Sequence, residues 1–433
     1  MKYNYIKINS FFISLLPIAL IFSIFLSDLI IICSSIIFLT FVFKSKKFYL
    51  FNTLEFKIFF LLYLTILLSL LFSDSSSENI IKGIAYLRFG LLLVMVKYLI
   101  EFDKNFLNLF IKFSMYAVLI LFLGVLLQVF NFEYLTLFKP PARFTSFFED
   151  ESILGSFLIK IIPLLVAILF YFKKKKLFYL VLFLGSAMIL LSAERSAIFL
   201  LLIFLTALFL FTKVYSIFIK GILVFLIITV SFSILKFSPE TKFRVYDKTL
   251  FQLGIIEPER KYVEFKVSDK SDKWVAVVKE DYFIPLKYYL MFNTSINIFK
   301  DNYFFGAGVK SFRYECKKDK YYIIENYSAF EDKPYDFYPG YTGIDGCSTH
   351  PHNYYFQLLS ETGIFSFLIV ILTFFWSVYN FFIKKEIYIK IIFLSIIINL
   401  FPFVFTGSFY NNFLSILIYL PIGFLHVKNM ENT

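Results

Sequence analysis

"CSTHPHNYYFQLLSETGIFSFLIVILTFFWSVYNFFIKK", residues 347–385, decides the architecture. It opens on a cysteine and two histidines around a proline, runs into an apolar stretch at 354–382, and stops at Lys384 and Lys385. An apolar run of that length crosses a hydrocarbon core of about 30 Å as a helix. Pro351 suits a helical first turn, where its missing N–H is no loss, so His352 is expected in the first turn at a membrane interface. The two lysines at the far end mark a cytoplasmic boundary.

The same pattern repeats along the chain. Of 433 residues, 59% are hydrophobic and 17% charged, with a mean hydropathy of +0.76. Soluble domains run near roughly 45–50% and about 25%. Apolar runs at 11–26, 29–43, 56–72, 83–100, 108–130, 152–172, 177–192, 196–211, 214–235, 354–382, 387–405 and 409–426 predict about twelve transmembrane helices. The expected fold is an all-α polytopic membrane protein in three parts: helices 1–9 over 1–235, a long external loop over 236–353, and helices 10–12 over 354–433. The first run follows Lys2 and Lys7 and lacks a small-residue cleavage site, so it is read as a retained span.

Basic residues set the direction. Lys44, Lys46, Lys47, Lys57, Lys97, Lys104, Lys112, the lysines at 173–176, Lys213, Lys384, Lys385 and Lys390 fall on one side. The opposite short connections hold only Lys82, Arg88, Lys139, Arg143 and Arg195. Both termini are therefore expected in the cytoplasm and the long loop outside, which in a bacterium is the periplasm. The net charge of +12 is spent on orientation; no soluble basic domain exists to hold nucleic acid.

Cys33 lies in a span, whereas Cys316 and Cys347 share the external loop and are expected to form a disulfide in an oxidising compartment. "YVEFKV" and "WVAVVK" around "SDKSDK" predict a hairpin at about 262–279. Tyr289, Phe292, Ile296 and Phe299 recur at helical spacing and predict an amphipathic helix along the membrane surface. "FFGAGVKSF", residues 304–312, reads as a tight turn.

Of the 43 basic residues only six are arginine: Arg88, Arg143, Arg195, Arg244, Arg260 and Arg313, all on the external side or just within its boundary. A topology signal needs only charge, but a planar guanidinium binds phosphate oxygens in pairs. Arg143 and Arg195 are the leading phosphate-binding candidates, with Arg88, Arg244 and Arg313 as further substrate-binding candidates and Arg260 behind them. The competing reading pairs them with local acids, Glu149, Asp150 and Glu151 near Arg143 and Glu194 beside Arg195. Lys160, inside the sixth span, is either a site residue or a snorkelling side chain.

The positive end of a helix dipole and nearby arginines both disfavour imidazolium, so His352 is expected neutral and able to take a proton from a hydroxyl. Otherwise it is one more ring in an interfacial aromatic belt with Tyr354 and Tyr355. His350 is a weaker candidate, and His426 sits near the cytoplasmic end. Three scattered histidines without acids at ligand spacing give no metal site.

These stretches together resemble the O-antigen ligase and O-antigen polymerase family of membrane glycosyltransferases. Its ligase pattern is His-Asn, nine residues, Gly, two residues, then Gly, Thr or Tyr. Here that is His352, Asn353, Gly363 and Ser366, with a departure at the last position. "ARFTSFFEDESILGSFL" around Arg143, "LSAERSAIF" around Arg195, "IFKDNYFFGAGVKSFRYEC" and "GCSTHPHN" are also similar, the last two to a subgroup with paired loop cysteines. The resemblance implies a GT-C-like fold in a bacterial inner membrane. It also implies transfer of a glycan from undecaprenyl diphosphate to a hydroxyl of lipid A–core, or to another lipid-linked glycan, without metal or other cofactor. Membrane lipids and these substrates are the implied partners. His352 would activate the acceptor, Arg143 and Arg195 would hold the diphosphate, and Asn353 would join the substrate-binding set. The family's loop arginine aligns near Lys287 and Tyr288, neither of which is arginine. Spacing favours the ligase over the polymerase. A transporter, the reading from another class, would call for paired half-repeats and midplane charges.

Overall fold

The computed structural model describes residues 2–73, 76–130, 143–148, 151–212, 286–322, 324–325 and 344–427, with scattered positions between 221 and 276. Six helices come first: α1 (Lys2–Phe22), α2 (Ile24–Ser45), α3 (Leu54–Leu71), α4 (Ser77–Ala85), α5 (Leu87–Phe102) and α6 (Phe106–Val129). Then follow α7 (Leu154–Tyr171), α8 (Lys175–Leu191) and α9 (Arg195–Phe211). Beyond the loop's first part lie α10 (Leu286–Asp301), α11 (Tyr354–Ile383), α12 (Ile387–Asn399) and α13 (Asn412–Gly423). Among the described residues seven helices are long and apolar enough to cross a membrane, with α4 and α5 counted together, and α9, α12 and α13 are shorter apolar helices. The chain is a multi-pass helical membrane protein. The predicted span at 214–235 lies mostly outside the described residues, as does much of the loop.

Polar caps start these helices where the sequence turns apolar. Ser23 accepts from Leu26 N–H, Thr53 from Phe56 N–H, and Asn353 from both Tyr355 and Phe356 N–H. In a membrane such caps satisfy amides that no water reaches. The run expected as one helix at 83–100 is two pieces, α4 and α5, meeting at Tyr86.

Packing fixes which ends meet. α1 lies against α2 and α6, α7 against α8 and α12, α11 against α3 and α12, and α13 against α5. At one end sit the lysines: Lys47 lies 3.7 Å over the Phe102 ring, Lys174 Nζ is 3.3 Å from Asn108 Oδ1, and His426 Nε2 faces Glu55 Oε2 at 3.4 Å. At the other end the N-termini of α5, α7, α11 and α13 come together beneath the loop. Arg88 in α5 reaches Asn412 of α13 there, and Phe148 packs on Phe157 of α7 and Phe413 of α13.

The loop's hairpin pairs Val263–Lys266 with Lys273–Ala276 antiparallel, as its alternation predicts. A second ladder joins Ile324–Glu325 to Ile344–Asp345. Cys316 and Cys347 are bonded, with Cα atoms 5.3 Å apart. Met291, Ile298, Phe312, Cys316 and Tyr321 form a small separate core beside that bridge. α10 buries Leu290, Met291, Thr294, Ser295 and Ile298 within the protein, while Tyr289, Phe292, Ile296 and Phe299, the face expected along the membrane surface, are half-buried or exposed. Phe292 instead stacks on Phe356 of α11, ring centroids 4.3 Å apart.

A candidate active site at the loop-covered end

His352 is not in the first turn of α11. Asn353 takes the capping position, so His352 precedes it, with a left-handed φ of 55°. Its carbonyl accepts from Thr406 N–H at 2.8 Å, which ties this strained residue to the connection between α12 and α13. Asn353, expected in the substrate-binding set, has its side chain consumed within the protein. Oδ1 accepts from two amides of α11, while Nδ2 donates to Pro402 O at 2.8 Å and Val404 O at 3.3 Å. It is a clip that fixes where His352 stands.

The His352 ring lies 4.2 Å from that of His350 and 5.5 Å, edge on, from Tyr288 of α10, which itself stacks on Phe405. Burial, and then the neighbouring Lys287 ammonium, hold His352 below the usual histidine value. The neutral imidazole was expected from a helix dipole; its main cause is desolvation. Burial, then His352 and Arg313, push His350 down to about 4, and its Nδ1 lies 2.9 Å from Thr349 Oγ1. Lys287 and Tyr288 of α10 are thus the loop residues that meet His352.

Further along α11 the loop docks onto a break in the helix. Gly363 has φ 76° and ψ −173° within the helix, and Gly306 of the loop has φ 68°. A Cβ on Gly363 would fall 2.2 Å from Phe304 O, and one on Gly306 2.2 Å from the carbonyl carbon of Glu361. Ala307 and Gly308 N–H donate to the carbonyls of Ser360 and Glu361, both at 2.9 Å, and Ile364 N–H to Tyr303 O at 3.0 Å. The GlyxGly stretch is therefore a docking edge, closer to its partner than a mere turn needs. Glu361 is fully buried, and its carboxylate accepts from Lys310 N–H at 2.9 Å, Phe312 N–H at 3.2 Å and Gln357 Nε2 at 2.9 Å. Sequence reasoning passed over Glu361 and Lys310. The one available signal was an acid inside an apolar run, which costs energy unless it is held.

On the other flank Glu194, between α8 and α9, accepts from Gly155 N–H at 2.6 Å and Ser156 N–H at 3.0 Å at the start of α7. Burial raises its carboxyl above the ordinary value, and Arg143 nearby works against that rise. Glu194 thus holds the start of α7 from the residue just before Arg195. Lys160 does not snorkel: it is buried, with Nζ 3.5 Å from Asn399 Oδ1 and 5.6 Å from the centre of the Tyr354 ring.

Arg88 is held otherwise than expected for a substrate ligand. Its Nε donates to Asp28 at 2.7 Å, and its two terminal nitrogens to Ala85 O at 2.7 Å and Asn412 Oδ1 at 2.9 Å. The Arg244 side chain and Arg260 lie outside the described residues. His426 is at the lysine end, far along α13 from this site. No group of three or more histidine, cysteine or carboxylate side chains suited to a metal is found among the described residues.

Residues 180–371 match the family model described as O-Antigen ligase. The matched stretch runs from α8 into α11 and contains Arg195, Lys310, Arg313, both loop cysteines, His350, His352 and Glu361. It supports the O-antigen ligase and polymerase family, and with it glycosyl transfer involving a lipid-linked glycan and an acceptor in general. No curated protein matches the chain.

Proposed function

We propose that the chain is an O-antigen ligase-type glycosyltransferase working on the outer face of the bacterial inner membrane, with undecaprenyl diphosphate as carrier of the donor glycan and a lipid A–core hydroxyl as acceptor. The observation that carries this reading is the placement of the His352 ring beside His350 and Tyr288 at the start of α11. The His352 backbone is fixed by the Asn353 cap and the Thr406 amide, Lys287 of α10 lies beside it, and Arg313 acts on its neighbour His350. His352 accepts the proton of the acceptor hydroxyl. The oxygen attacks the anomeric carbon as the bond to the diphosphate oxygen breaks, and the diphosphate leaves with the electron pair. Direct displacement inverts the anomeric centre. Arg143 and Arg195, with Lys287 near the base, stabilise the charge developing on the leaving group. A diphosphate leaves readily, so cationic side chains suffice for this role and the step needs no metal.

Extension of a lipid-linked glycan is the alternative acceptor chemistry. Ser366, where the ligase pattern departs, is fully buried and 2.6 Å from Thr65 Oγ1, so the departure falls on a packing contact between α3 and α11. The deciding experiment substitutes His352→Ala in cells and in purified protein and assays glycan transfer, with membrane insertion checked. The expected outcome is a loss of transfer of at least about 100-fold, at the low end of general-base contributions, with normal insertion. Retained transfer by an inserted variant refutes the base.

A further inference from the structure

Beyond its break, α11 carries a stripe of exposed side chains: Phe365, Leu368, Leu372, Phe375 and Tyr379. Steps of three and four residues put them on one face of the helix. That face lies in a helix long and apolar enough to cross a membrane, so lipid covers it. From Ile364 to Ile383 this part of α11 has about 20 residues, about 30 Å at about 1.5 Å each, which matches the hydrocarbon core. Lys384 and Lys385 close its far end. Phe365 therefore stands at the edge of the hydrocarbon on the loop's side.

The loop meets the stripe at that level. Ile364 N–H donates to Tyr303 O at 3.0 Å, and Gly306 N–H to Asn302 O at 2.9 Å, which closes a turn over 302–306. Phe304 stacks on Phe365 with ring centroids 6.1 Å apart. Phe305 lies 6.2 Å from Phe365 and stacks at 4.7 Å on Phe72, the residue that ends α3. Leu71 and Phe72, at the end of that membrane-crossing helix, are themselves exposed. The apolar surface of two spans thus continues into the loop. At its tip Phe304 is 58% and Tyr303 47% exposed, a patch of the kind that marks a membrane contact. Charge resumes directly behind it: Asp301 pairs with Lys320 at 2.6 Å, both side chains exposed.

We propose that the turn Tyr303–Phe305 is a membrane anchor, with its rings among the acyl chains of the leaflet on the loop's side and the Asp301–Lys320 pair in the headgroup water. Lipid is the occupant because this surface prolongs the lipid faces of α3 and α11. A tyrosine beside phenylalanines suits that boundary, where its ring is in hydrocarbon and its hydroxyl reaches water. α10 runs to this turn from the end that holds Tyr288, whose ring meets His352. The bilayer thereby becomes a support on which the loop rests beside the histidines. The anchor requires only that the chain spans a bilayer, and it stands whether or not the chain transfers glycans.

The test places a fluorescent reporter in the turn. Phe304→Trp and, separately, Tyr303→Trp are made in full-length protein carrying Trp274→Phe and Trp376→Phe, which removes both native tryptophans. Each protein is put into nanodiscs of phosphatidylcholine with plain or brominated acyl chains. The expected result is emission blue-shifted from that of the unfolded chain, most of it lost in brominated lipid and little of it lost to acrylamide in the water. Quenching by brominated lipid at either position upholds the anchor. Its absence at both overturns it: the turn lies in water if acrylamide quenches, and under protein, a second copy included, if acrylamide does not.

Discussion

At the scale of single residues, His352 is held below the ordinary histidine value by burial first and then by the Lys287 ammonium, and its backbone is set by the adjoining Asn353 cap. Its folded value lies below the ordinary histidine value of about 6.5. The neutral base therefore persists as pH falls past that point, and the acid limb of the transfer rate should lie below it. Lys287→Gln removes a positive neighbour and should move that limb upward, whereas Lys287→Arg should leave it in place. A pH–rate profile of the three proteins decides; a wild-type limb at or above the ordinary value would sink the assignment. His350 carries a stability consequence of the same sign. Its value falls to about 4 on folding, so the unfolded chain binds the proton more tightly and stability drops as pH falls through the window from about 6.5 to about 4. Denaturation at pH 7 and pH 5 should show the lower midpoint at pH 5, and His350→Gln should narrow the gap.

At the scale of elements, the break in α11 joins the membrane bundle to the loop. Gly363→Ala puts a side chain at φ 76° and 2.2 Å from Phe304 O, so the loop must lift. Left-handed strain alone costs about 1–3 kcal/mol, and the expected result is a lower melting temperature with earlier proteolysis within the loop. Glu361→Ala strands two buried amides and an amide side chain, each worth about 1–3 kcal/mol when left unpaired. Glu361→Gln keeps an acceptor oxygen and should fall between Ala and wild type. Equal melting of all three proteins would mean the carboxylate holds nothing. The start of α11 and its apolar length were legible in the sequence, because capping and hydrophobicity are local properties. The break was not, because "SETGIF" reads as helix until Tyr303–Gly308 arrives against it.

At the scale of the molecule, the lysine bias predicts that reporters fused after Lys47 and Lys385 face the cytoplasm and one placed in the loop faces outward; the reverse pattern would contradict the proposed site of action. The Cys316–Cys347 bridge closes a separation of 31 residues. In the chain-entropy model a loop of about 30 residues is stabilised by about 3–4 kcal/mol. Cys316→Ser with Cys347→Ser should lower the loop's resistance to protease more than it lowers the stability of the bundle. Equal protease resistance with and without the bridge would count against that division.

The sequence by itself determined a multi-pass helical chain and its likeness to the O-antigen ligase family, because hydrophobic length and motif spacing are written in one dimension. It could not tell a clip from a ligand: Asn353 and Arg88 carry the right groups, but their partners come from α13, from α2 and from residues 402–404. Only the tertiary structure decided that Glu361 binds the loop through the Lys310 and Phe312 amides. Whether a buried polar group is satisfied depends on neighbours tens or hundreds of residues away.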